Sequence, residues 1–150
     1  MAVAIWKPGR RLFTCAAIVM LLMAAGHTAG FLASAPSNPV EVKLFADMGA
    51  VLNPLGLGMS PSVKDIYFGL AFSLGLTFAA LGVMNLVLAA IPETPNRVLR
   101  AAGWINALWV GAFLIMNWVY RVPPPLIFGT ILWIAVAASL IDLRRYDERR

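Results

Sequence analysis

Four stretches of the chain carry no Asp, Glu, Lys or Arg: Leu12–Ala35, Ile66–Ile91, Ala101–Tyr120 and Val122–Ile141. Each reaches the roughly 20 mostly apolar residues that a helix needs to cross a bilayer. The charged residues and seven of the ten prolines lie outside them. The pattern predicts an all-α, polytopic membrane protein. Four transmembrane helices, at about 11–35, 63–91, 98–120 and 123–143, would form an antiparallel bundle within a single integral membrane domain, 1–150. The fourth stretch opens on Pro123, Pro124 and Pro125, which a first helical turn tolerates because its N–H groups have no intrahelical acceptor.

The connection 36–62 is the one sizeable segment outside these stretches, and it has structure of its own. Asn38-Pro39-Val40-Glu41 supplies a capping side chain, a proline at the first helical position and a Glu three residues after the cap. Val40, Leu44, Phe45 and Met48 then recur at helical spacing, and Gly49 is a plausible stop. A short amphipathic helix is predicted, lying on the membrane surface or capping the bundle. Asn53-Pro54 and Gly56-Leu57-Gly58 break structure after it, and Ser62-Val63-Lys64-Asp65 caps the next helix. Leu52, Leu55, Leu57 and Met59 are too many apolar residues for a freely solvated loop and are expected to lie down on the bundle or on lipid.

Composition agrees. Hydrophobic residues make up 61% of the chain and charged residues 13%, against about half and a quarter in soluble domains. A soluble globular enzyme and a disordered chain are excluded. One cysteine, Cys15, permits no internal disulfide or Cys-rich metal site. One histidine, His27, excludes a bis-histidine haem held by one chain. No metal or other cofactor is implied. The basic pI does not indicate nucleic acid, because the cations lie in short flanks. Of the 12 Lys and Arg residues, Lys7, Arg10, Arg11, Arg97, Arg100, Arg144, Arg145, Arg149 and Arg150 fall on one side of a four-helix topology. Only Lys43, Lys64 and Arg121 fall on the other. The positive-inside rule places both termini in the cytoplasm and 36–62 outside. Trp6, Trp104 and Tyr146 would mark the inner interface; Tyr67, Trp118 and Tyr120 would mark the outer one. The first stretch resembles a signal peptide at Ala33-Ser34-Ala35, but its length and Pro36 favour a retained helix.

Candidate chemistry is sparse. No acid falls inside any span, which argues against a proton-coupled transporter. In the first helix Met23, Gly26, His27, Gly30 and Ser34 share about a third of the circumference, and Gly26-x-x-x-Gly30 would let another helix approach. His27 is therefore expected to face the bundle interior in its outer half. It is either a satisfied structural histidine or a binding or catalytic group. Thr28 adjoins it, and Asn117, at a similar depth, is the residue to pair with it in a ligand site. In the second helix Ala71, Gly75, Gly82 and Asn85 share a face interrupted by Phe78. In the third, Gly103, Asn106, Val110, Leu114 and Asn117 do, with a ladder Gly103-x-x-x-Ala107-x-x-x-Gly111. Asn85 and Asn106 fall at the same depth and are expected to form a hydrogen-bonded structural pair.

The Gly26-His27-Thr28 run, near the outer end of the first of four helices, resembles one in uncharacterised small bacterial four-helix membrane proteins. The resemblance implies a bacterial inner membrane and no activity. The leading reading is a non-enzymatic protein that binds a lipophilic ligand or a partner membrane protein through its outer half. Its partners would be membrane lipids and either another membrane protein or a second copy. Alternatives are a small lipid- or isoprenoid-modifying enzyme with His27 as catalytic acid or base, and an assembly subunit of a membrane complex.

Overall fold

The computed structural model describes residues 10–33 and 35–148. Trp6, Lys7, Ser34, Arg149 and Arg150, which the sequence assigns to interface, flank or cleavage pattern, lie outside the described residues. Among the described residues five helices follow one another: α1 (Arg11–Ala33), α2 (Pro39–Ala50), α3 (Val63–Ala90), α4 (Asn96–Val119) and α5 (Pro123–Glu148). Among the described residues there is no strand, only isolated bridges within 52–62. Helices α1, α3, α4 and α5 are long and apolar enough to cross a membrane, with only 22–33% of each span buried inside the protein. The remaining apolar surface faces outward. The chain is an all-helical, multi-pass membrane protein.

Local chemistry sets the helix ends. Asn38 Oδ1 accepts from the Glu41 N–H at 3.0 Å, and Glu41 Oε2 accepts from the Ser37 N–H and hydroxyl at 2.7 and 2.9 Å. The two Ser37 bonds hold the Glu41 carboxyl below its usual range, the backbone one contributing most. The Asp65 N–H donates to Ser62 Oγ at 3.1 Å, and Asp65 Oδ2 accepts from the Ser62 N–H and hydroxyl at 3.0 and 2.7 Å. This is the reciprocal capping box expected from the sequence. The three prolines occupy the first turn of α5, as expected. That helix runs past Leu143 to Glu148, where Arg144 pairs with Glu148 at 2.8 Å.

The chain falls into two compact units: Met1–Met23 with Phe78–Arg150, and Ala24–Thr77.

The first unit is a bundle of four helical segments. Its register can be read from its close approaches. A Cβ on Gly103 would stand 2.7 Å from Leu140, Gly111 faces Trp133, and Gly129 faces Leu114 and Phe113. Helices α4 and α5 are therefore antiparallel, with the Gly103–Gly111 ladder on α5 as its small residues imply. Gly82 lies against Leu21 and the Ala17 carbonyl. Phe78 is buried, with its ring edge-on to Trp109 at 4.6 Å and Phe113 at 5.4 Å. Phe13, Ala89, Leu99, Ala102 and Leu143 close one end.

The second unit is built differently. A Cβ on Gly75 would lie 2.7 Å from Thr28 Oγ1, with the Ala24 carbonyl also near. The Gly26–Gly30 pair expected to receive a helix does not: a Cβ at either would meet nothing within 4 Å. The reason is helical phase. The α1 residues that meet α3 in their respective units are Ala17, Leu21, Ala24 and Thr28, and positions 26 and 30 lie about 200° round from 24 and 28. Helix α2 buries none of its residues; Val40 and Leu44 are exposed, while Phe45 reaches Tyr67 and Phe68. After it, Leu55 N–H donates to the Met59 carbonyl and Met59 N–H to that of Gly56. This folds a tight turn in which Gly56, Leu57 and Gly58 all have positive φ. Leu57 at the tip is 95% exposed, and Leu52, Leu55 and Met59 are exposed too.

Candidate functional site

His27 is half-buried on the flank of α1 beside its α3-facing side. Its Nε2 lies 3.0 Å from the Ala71 carbonyl oxygen. A carbonyl can only accept, so Nε2 carries the proton and donates. In a neutral ring Nδ1 is then an acceptor, and no group among the described residues is bonded to it. The imidazole stacks at 6.5 Å on Phe31. Phe31 meets Phe68 at 4.9 Å, Phe72 at 5.4 Å and Tyr67 at 5.8 Å. Phe45 of α2 joins Tyr67 and Phe68, and Lys64 Nζ lies about 6 Å from the Phe45 and Phe68 rings. One imidazole thus adjoins a cluster of aromatic rings, most of them on the first turns of α3. Tyr67 and Phe72 are exposed at the cluster's edge. The sequence places Phe45 on the apolar face of the short helix but assigns no role to Phe31, Phe68 or Phe72. Tyr67 stood only as an interface marker. The i, i+1, i+5 run Tyr67-Phe68-Phe72 was the available signal.

Thr28 abuts Gly75 and serves the close approach of α1 and α3. Asn117, the expected partner of His27, spends its amide on the Phe113 carbonyl at 2.8 Å, one turn back in its own helix. The His27 hydrogen bond goes instead to backbone in Ala24–Thr77. Helical phase alone could not reveal either choice, because a back-bonded amide and an inter-helix amide occupy the same position on the wheel.

Asn85 and Asn106 are both buried, 1% and 2% exposed. The expected amide–amide hydrogen bond is absent: neither Oδ1 has a hydrogen-bond donor in the structure. Asn85 Nδ2 turns instead to Met20 Sδ at 3.5 Å. The physical reason is that α1 also packs on this face of α3 and offers the polarizable thioether as a weak acceptor.

The largest departure from the sequence reading is Arg10. Counted there as a topological cation, it is buried and bonds only to backbone carbonyls in the contacts seen. Nη1 donates to Ile91 O at 2.8 Å and Ala89 O at 3.3 Å; Nη2 donates to Thr94 O at 2.5 Å and Pro92 O at 3.2 Å. The last carbonyls of a helix have no intrahelical donor, and Pro92 and Pro95 remove two local N–H groups. The guanidinium supplies the missing protons and places its charge at the negative end of the α3 dipole. The two prolines show in the sequence that donors are needed here, but not which side chain brings them.

Among the described residues no cluster of His, Cys, Asp or Glu could hold a metal ion. No protein family's pattern matches the chain, and neither a characterised protein nor a solved structure matches it.

Proposed function

We propose that this protein binds a lipophilic ligand through Ala24–Thr77, without catalysing its conversion. One observation carries the reading: His27 spends Nε2 on the Ala71 carbonyl, leaves Nδ1 as an acceptor, and stacks on Phe31, which itself meets Phe68 and Phe72. Mostly apolar walls with one convergent polar group are what a ligand site requires. The complementary molecule is apolar and carries one hydroxyl or N–H donor. The exposed side chains Leu52, Leu55, Leu57 and Met59 would rest in the interfacial layer of the bilayer and hold α2 near it. The cation distribution supports both termini in the cytoplasm and 36–62 outside, and the resemblance of the Gly26-His27-Thr28 run supports a bacterial inner membrane. Reporter fusions at residue 50 and after Glu148 test that orientation; an outward-facing carboxyl end would refute it.

Lipid analysis of protein extracted from native membranes tests the binding reading. A species enriched with the wild type should be lost with His27→Phe, which keeps an aromatic ring and removes both nitrogens. An unchanged lipid profile in the folded variant would leave the site without support.

A further inference from the structure

A second polar feature lies in the unit formed by Met1–Met23 and Phe78–Arg150, apart from the His27 cluster. Asn85 Oδ1 and Asn106 Oδ1 are both buried acceptors without a donor. Their common level follows from the register. Phe78 meets Trp109 and Phe113, so antiparallel α3 and α4 bring position 85, seven residues on, opposite 102–106, seven residues back. Gly103 meets Leu140, so Asn106, three residues on, comes opposite about residue 137, beside Val136 and Ser139. Gly82 meets Ala17 and Leu21, so Asn85 lies opposite 14–18. All four spans contribute to one layer. Two of its side-chain donors are turned elsewhere: Ser139 Oγ donates to the Val136 carbonyl at 2.7 Å, and Asn85 Nδ2 faces Met20 Sδ.

An occupant of this layer must bring its own protons, because both open atoms are acceptors. It must also be neutral. No acid lies within the four uncharged stretches, and the Arg10 guanidinium already bonds Ala89 O, one turn or about 6 Å along α3 from Asn85. It must be small, since Met20, Phe78, Val110, Leu132 and Val136 are all buried. The geometry points to an internal water site in which one molecule donates to Asn85 Oδ1 and Asn106 Oδ1. Such waters characteristically satisfy buried polar groups that the protein leaves open.

Water-to-protein magnetisation transfer by NMR on the full chain in lipid vesicles reads this directly. A slowly exchanging water should transfer to both side-chain amides, and Asn106→Leu should abolish the transfer at Asn85. Thermal unfolding supplies the second readout. Asn85→Leu and Asn106→Leu should each lower the Tm by about 2–4 °C, and the double variant should lose no more than either, because both remove the same bridge. Absence of transfer in the wild type overturns the proposal, even with coupled Tm values, because a direct amide–amide bond would then hold the pair. Additive losses, or a Tm raised by either leucine, also overturn it.

Discussion

The two units of this chain hold together by different means. In Met1–Met23 with Phe78–Arg150, Phe13, Met20, Phe78, Leu99, Val110, Leu132, Val136 and Leu143 are fully enclosed, and Arg10 is spent on four carbonyls. In Ala24–Thr77 the only buried hydrophobic side chain among the described residues is Ala24. Ring edges, capping boxes and one histidine-to-backbone bond do the rest. Lipid tails are as apolar as leucine, so in a membrane an enclosed side chain gains from close packing rather than from leaving water. The first unit is built for that gain. The second keeps its aromatic surface partly open, which suits the proposed binding of a lipophilic ligand.

Opposed substitutions test this difference. Phe78→Ala should have the largest effect, a loss of about 3 kcal/mol, because its ring fills the space between Trp109 and Phe113. Phe31→Ala, at the centre of the open cluster, should cost about 1 kcal/mol while sharply reducing any co-purifying lipophile. Denaturant titration in mixed micelles together with lipid analysis measures both; equal stability losses would erase the contrast.

Arg10→Ala should follow, with a loss of about 2–3 kcal/mol, since the carbonyls of Ala89, Ile91, Pro92 and Thr94 lose a common donor. Arg10→Lys should recover only part of it, because an ammonium lacks the planar fork that serves several acceptors at once. Thermal unfolding of the three proteins gives the order.

Glycine substitutions give a smaller and opposite pair. Gly82→Ala puts a methyl 2.8 Å from Leu21 and 3.1 Å from the Ala17 carbonyl, and should cost about 1–3 kcal/mol. Gly26→Ala enters open space and should be neutral or stabilising by up to about 1 kcal/mol. A destabilised Gly26→Ala would mean that this face is occupied in the membrane.

The smallest effect concerns pH. Glu41 has its carboxyl lowered from 4.5 by Ser37. The support it gives the start of α2 is complete above 4.5, the unfolded value, and is lost as pH falls through the lower folded value. Amide exchange at 38–42 should quicken on that acid side alone, with α4 and α5 unaffected.

Four spanning helices, the α2 cap, the Ser62–Asp65 box and the proline start of α5 were legible in the sequence, because each depends on nearest neighbours or on continuous apolarity. The Gly103–Gly111 ladder was legible for the same reason: a row of small residues implies a close neighbour, and α5 supplies it. Gly26–Gly30 carried the same pattern and has no such neighbour. The candidate site was legible only at His27 and Phe45. Its other rings drew no attention because aromatic residues in an apolar run look like packing.

The sequence by itself determined that the chain crosses a membrane as helices and where those helices begin, since length, hydropathy and capping are local properties. The tertiary structure decided the rest. It chose which face of α1 meets α3, sent the Asn117 and His27 hydrogen bonds to backbone carbonyls, left two buried amide oxygens without donors, and turned Arg10 from a flanking charge into a helix cap. Each choice depends on which helix lies opposite and at what register. An apolar helix can turn about its own axis at little cost in lipid, so only the packed neighbours fix its phase.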